Sequence, residues 1–167
     1  MARIDLPEGS GPDVLRALSL VPHFGDAVAA KEAAVAKSPL DRRIHELIRM
    51  RIAEINGCTL CMAWRNDWAD EKSLGDVSAY RTSPHFSAAD RVAIEFAERF
   101  STASSAIDDE LFGRLREHFT DAEIVDLTLV AGKYLAMGRF MQVLDLDQAC
   151  ALPLPGDKRP VDALPTG

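Results

Sequence analysis

The stretch Glu46-Leu47-Ile48-Arg49-Met50-Arg51-Ile52-Ala53-Glu54-Ile55-Asn56-Gly57-Cys58-Thr59-Leu60-Cys61 decides how this chain reads. It is the body of an amphipathic helix, its stop, and two thiols three residues apart. Ile44, Leu47, Ile48, Ile52 and Ile55 recur at helical spacing and form one apolar stripe. Asn56-Gly57 reads as the stop, because a glycine takes the backbone conformation in which helices commonly end. Cys58 is then expected to open the next helix. There, free backbone N–H groups and the positive end of the helix dipole favour a thiolate. Cys61 and Arg65 follow at i+3 and i+7, on the same face as Cys58.

Working outward, the pattern stays helical. Upstream, Ser38-Pro39-Leu40-Asp41 reads as an N-cap, a proline at the first helical position and an acid in the first turn. Residues before Ser38 suggest further helices around Pro12–Leu18 and Pro22–Lys37. Downstream, the helix that carries the two cysteines is expected to run from about Cys58 to Lys72. Ser87-Ala88-Ala89-Asp90 resembles a capping box, followed by Val92, Ile94, Phe96 and Phe100 in a helix ending near Thr102. Asp108 caps a short helix through His118. Thr120-Asp121-Ala122-Glu123 is a capping box ahead of a long apolar helix from about Asp121 to Asp145. No period-2 run bounded by hairpin turns appears, so an all-α fold is expected. Residues 1–150 read as a single helical domain. The tail, 151–167, holds Pro153, Pro155, Pro160 and Pro165 and is expected to be extended.

Composition narrows the function classes. The chain has 167 residues, 47% hydrophobic and 27% charged, which is long enough to bury a core. A net charge of −7 argues against nucleic acid as a partner, since phosphate binding needs a basic surface. No apolar run reaches membrane-spanning length, and Met1-Ala2-Arg3-Ile4-Asp5-Leu6-Pro7 shows no apolar signal segment. Three cysteines are too few for a secreted disulfide framework. A cytoplasmic protein without membrane or nucleic-acid partners is expected.

The residues alone leave several readings of Cys58 and Cys61 open. A zinc site needs four ligands, and one CxxC supplies half of them. A thioredoxin-type motif needs a βαβ setting, and a c-type haem signature needs His where Met62 stands. Two buried core cysteines are the bland alternative.

The same residues, Glu46 to Cys61, resemble the signature of the alkylhydroperoxidase D-like, carboxymuconolactone decarboxylase superfamily: a glutamate twelve residues before CxxC, with Asn-Gly-Cys at the turn. Phe86-Ser87-Ala88-Ala89-Asp90-Arg91-Val92-Ala93 and His118-Phe119-Thr120-Asp121-Ala122-Glu123-Ile124-Val125-Asp126-Leu127-Thr128 are similar as well. The resemblance spans about residues 20 to 145. It implies an all-α helical bundle, a homo-oligomer with trimer or hexamer favoured, and in the redox branch peroxidase or disulfide-exchange activity without a cofactor. On that resemblance Cys61 attacks the peroxide, Cys58 is the resolving thiol, and Glu46 is the acid/base of a proton relay. The external reductant would be a dithiol or lipoyl-type group.

The chain departs from the family pattern at two places. Arg65 stands where the relay histidine is expected. Arginine holds charge but does not transfer a proton at neutral pH. Glu46 lies about 13 Å before the end of its helix and Arg65 about 10 Å into the next, so antiparallel packing would bring the two level. Gly138-Arg139 keeps only the arginine of the family's asparagine-arginine pair. Glu46 lies opposite the Ile44/Leu47/Ile48 stripe, and the family pattern alone argues against its being a solvated glutamate. His45, beside Glu46, points about 100° away from it. His23, His85 and His118 read as surface or packing residues, Trp64 and Trp68 as core, interface or pocket wall, and Cys150 as inert. The expected function is a thiol-dependent reductase of small hydroperoxides or a disulfide oxidoreductase, carried by Cys58, Cys61, Glu46 and Arg65. The alternatives are a lyase or isomerase of the lactone branch, with Arg65 on a substrate carboxylate, and a non-catalytic oligomeric binding protein.

Overall fold

The computed structural model describes residues 2–58, 61–62 and 71–146. Among these there is no strand, and the all-α expectation holds. The chain divides into two units, residues 1–38 with 143–167, and residues 39–142. The first carries α1 (Asp13–Ser19) and α2 (Pro22–Val35), whose proline lies in the first turn where its missing N–H costs nothing. Val14, Ala17, Leu18 and Val35 are their buried apolar residues.

The second unit is built on α3 (Arg42–Ile55). Its cap is Asp41 rather than Ser38: the Asp41 carboxylate accepts from the Arg43 N–H at 2.8 Å. A carboxylate so placed satisfies one of the free N–H groups of the first turn. Ser38, Pro39 and Leu40 therefore lead into the helix instead of starting it. At the other end, Gly57 has φ +64°, the Gly57 N–H donates to the Glu54 carbonyl and the Cys58 N–H to the Ala53 carbonyl. This is a Schellman stop, and it fixes the direction in which the chain delivers Cys58.

Past Cys58, α4 (Glu71–Gly75) and a 3-10 turn (Val77–Ala79) lead to α5 (Ala88–Thr102). The box at its start is complete: the Asp90 N–H donates to Ser87 Oγ and the Ser87 N–H to Asp90 Oδ2. α6 (Asp109–Arg116) is capped by Asp108 and ends two residues short of His118. α7 (Asp121–Leu144) starts from the Thr120/Glu123 box, with both reciprocal bonds present.

α3 is enclosed on all sides. α5 packs along it, pinned by Arg51, which donates to Glu98 at 2.6 Å and to Glu54 at 2.8 Å. Arg43 reaches Asp90, Ser73 and the His85 carbonyl. Leu47, Met50, Leu74, Val77, Tyr80, Phe86 and Ile94 form one apolar cluster, with Met62 against it. α7 meets the end of α3 at Gly138, where the Asn56 side chain comes so close that a Cβ would fall on it. No helix among the described residues is long and apolar enough to cross a membrane. The helix expected from Cys58 to Lys72, with Trp64, Arg65 and Trp68, lies largely outside the described residues, as do Cys150 and the proline-rich tail.

Candidate functional site

Cys58 and Cys61 are joined as a disulfide, S–S 2.01 Å. Cys58 is half-buried and Cys61 buried. The Schellman stop of α3 presents Cys58. The Met62 N–H donates to the Cys58 carbonyl at 3.0 Å, and Cys61 and Met62 have helical backbone.

Beneath this turn lies Glu46. Helical phase alone turns it to solvent and the family resemblance argues against that; it is 2% exposed, in a run of α3 in which every residue from 44 to 50 is buried. A buried carboxylate needs compensation, and Arg49, one turn on and also buried, supplies it. Arg49 Nε donates to Glu46 Oε2 at 2.9 Å and Nη2 to Oε1 at 2.6 Å, a two-pronged fork. The third prong, Nη1, donates to the Cys61 carbonyl at 2.6 Å. One guanidinium thus links the α3 carboxylate to the backbone of the disulfide turn. Reading the sequence for thiol chemistry passed over Arg49. The available signal was its i+3 spacing from Glu46, which puts the two on neighbouring positions of one helix surface.

A second polar group of side chains sits between α3 and α7. His45 is buried, stands edge-on to the Tyr134 ring with centroids 5.5 Å apart, and its Nε2 has no hydrogen-bond partner among the described residues. Lys133, also buried, places its ammonium 3.9 Å from the Tyr134 ring centre. Burial first, and then the nearby Lys133 ammonium, push the His45 pKa down to about 4; Arg49 adds to this, and Glu46 and Asp126 oppose it. His45 is therefore neutral at physiological pH. Asn56 donates to the Tyr134 carbonyl at 3.4 Å, and Arg139 to the Ser101 carbonyl at 2.8 Å, so both tie α7 to its neighbours.

Of the expected site residues, Cys58 is bonded to Cys61, and Arg49 links Glu46 to the Cys61 backbone. Arg65, the remaining candidate, lies outside the described residues. His23, His85 and His118 are exposed, His85 with its Nε2 3.7 Å from Asp76. Among the described residues no group of three His, Cys, Asp or Glu side chains stands in position to hold a metal ion.

No protein-family profile matches the chain. A YnjA protein of Escherichia coli, itself of unknown activity, is 32% identical over 126 residues, covering 70% of this chain and 68% of that one. A crystal structure from Agrobacterium tumefaciens, described as a putative antioxidant defence protein AhpD, superposes with a TM-score of 0.72 at 27% identity, over 87% of this chain and 96% of that one. A peroxidase-related protein from Silicibacter shares the fold, with a TM-score of 0.76 at 22% identity, over 89% and 92%.

Proposed function

This chain belongs to the alkylhydroperoxidase D-like, carboxymuconolactone decarboxylase-related family, and we propose that it is a thiol oxidoreductase that reduces small hydroperoxides or exchanges disulfides through Cys58 and Cys61. The observation that carries this reading is the Cys58–Cys61 disulfide held over a buried Glu46 by Arg49. In the reduced protein the Cys61 thiolate attacks the terminal peroxide oxygen. The O–O bond breaks, the alcohol leaves with a proton, and Cys61 becomes a sulfenic acid. The Cys58 thiol then displaces water from that sulfur and closes the disulfide. An external dithiol supplies the two electrons that reopen it.

The resetting step has a favoured direction. Cys58 is the more exposed residue of the pair, and in the proposed reset the dithiol attacks its sulfur while Cys61 departs as the thiolate. Glu46 moves the proton through water. Arg65, four residues after Cys61, supplies positive charge at the thiol site in place of a relay histidine. The protein is proposed to work as a homo-oligomer, trimer or hexamer. Val125 and Leu129 of α7 are exposed apolar residues on one helix face.

Single-turnover peroxide consumption by the reduced protein and its cysteine variants tests the reading. Cys61→Ser is expected to abolish consumption. Cys58→Ser is expected to consume one equivalent and to leave a sulfenic acid that dimedone traps on Cys61. Turnover of a lactone substrate by the double cysteine variant, with no peroxide consumed by the parent, would instead place the protein in the lactone branch.

A further inference from the structure

We infer that Arg49 is a positioning residue of the thiol site: it ties Glu46 to the Cys61 carbonyl and, once the disulfide is opened, offsets the Glu46 charge beside the Cys61 thiolate. The inference rests on Cys58 and Cys61 acting as a redox pair. Three bonds support it, two to the carboxylate at 2.9 and 2.6 Å and one to the Cys61 carbonyl at 2.6 Å. A helix-stabilising pair alone would need only the first two. The third leaves α3 and crosses to the turn that carries the disulfide.

Covalent geometry keeps a cysteine sulfur within roughly 5 Å of its own carbonyl oxygen. The guanidinium is therefore within about 8 Å of the Cys61 sulfur. Arginine stays charged at every working pH, so this offset does not titrate away. Both side chains are buried, 7% and 3% exposed, where solvent screens little.

The step in which this matters is the reopening of the disulfide. The thiolate of an external dithiol attacks Cys58 Sγ, and the S–S electron pair leaves on Cys61 Sγ. The second thiol of the dithiol then displaces Cys58, and the dithiol ends as a disulfide with its protons passed to solvent and to the released cysteines. Charge appears on Cys61 at the first of these displacements. The Glu46 carboxylate opposes it, and the Arg49 guanidinium offsets that opposition. Because Glu46 and Arg49 act with opposite sign, removing one or the other should move thiol reactivity in opposite directions.

The test is the iodoacetamide alkylation rate of Cys61 against pH in the reduced protein, read by mass analysis of the separated peptides. Arg49→Gln, which removes a positive charge near the thiolate and keeps the Glu46 carboxylate, is expected to slow alkylation at pH 7 about tenfold. Glu46→Gln is expected to speed it by a similar factor. The double variant, which removes both charges, should return to within about threefold of the parent, and Arg49→Lys should recover part of the loss. If Arg49→Gln does not fold, Glu46→Gln and the double variant carry the comparison. Equal rates, or shifts of the same sign in Arg49→Gln and Glu46→Gln, would overturn the inference. A parent that forms no disulfide with peroxide would sink the functional reading while leaving this alkylation series fully interpretable.

Discussion

Gly138→Ala should destabilise a helix that alanine would ordinarily strengthen. In an open helical position, glycine to alanine gains up to about 1 kcal/mol. At Gly138 a new Cβ would sit 3.0 Å from Asn56 Cγ and 3.3 Å from Asn56 Cβ, and closer still to the amide nitrogen. Asn56 is 4% exposed and is the C-cap of α3, so it has little room to retreat. Displacing it costs about 1–3 kcal/mol of overpacking, and about 1 kcal/mol more if its bond to the Tyr134 carbonyl is lost. The net expectation is a loss of about 1–3 kcal/mol, or roughly 2–4 °C of Tm for each kcal/mol in a chain of this size. Gly132 provides the internal control on the same helix. A Cβ there meets Phe100 Cζ at an ordinary 3.8 Å, so Gly132→Ala should be neutral or stabilising. Urea unfolding of both variants beside the parent reads the difference. A Gly138→Ala protein as stable as the parent would show that α3 and α7 do not approach as closely as described.

Other outcomes follow from the same geometry. His45, held neutral down to about pH 4, leaves stability intact above about pH 6.5, where folded and unfolded states are both neutral. As pH falls from 6.5 to 4, only the unfolded state gains the proton, and about 3 kcal/mol should be lost. His45→Gln should flatten that part of the profile, and an unchanged slope would remove His45 as its source. Arg65→His should raise the single-turnover peroxide rate and add a pH dependence in the imidazole range; an unchanged rate would take Arg65 out of the site. Sedimentation at micromolar concentration should show an oligomer, and a monomer there would end the proposal of obligate assembly.

What the sequence told was chiefly local. The caps at Ser87, Asp108 and Thr120 use side chains three residues from the N–H groups they satisfy, so short-range pattern is enough. Gly57 was legible for the same reason. The start of α3 was misplaced because Ser38-Pro39 and Asp41 offer competing caps, and only the position of the chain decides between them. Glu46 shows the limit more sharply. Helical phase puts it opposite the apolar stripe, and nothing local says that the opposite face is covered as well. Once it is known to be buried, asking what neutralises it leads straight to Arg49. The His45, Tyr134 and Lys133 group joins segments almost ninety residues apart in sequence, beyond the reach of any short pattern. Gly138 read as a missing asparagine; its use is to admit the side chain of Asn56.

The central claim is that Cys58 and Cys61 are a working redox pair. Thiol counting on the native, fully reduced protein, before and after one equivalent of a small hydroperoxide, tests it most directly, with mass analysis of the peptide that holds both residues. The account predicts the loss of two thiols, a Cys58–Cys61 peptide lighter by two hydrogens, and Cys150 still free. Three thiols retained after peroxide, or equal labelling of all three cysteines, would contradict it.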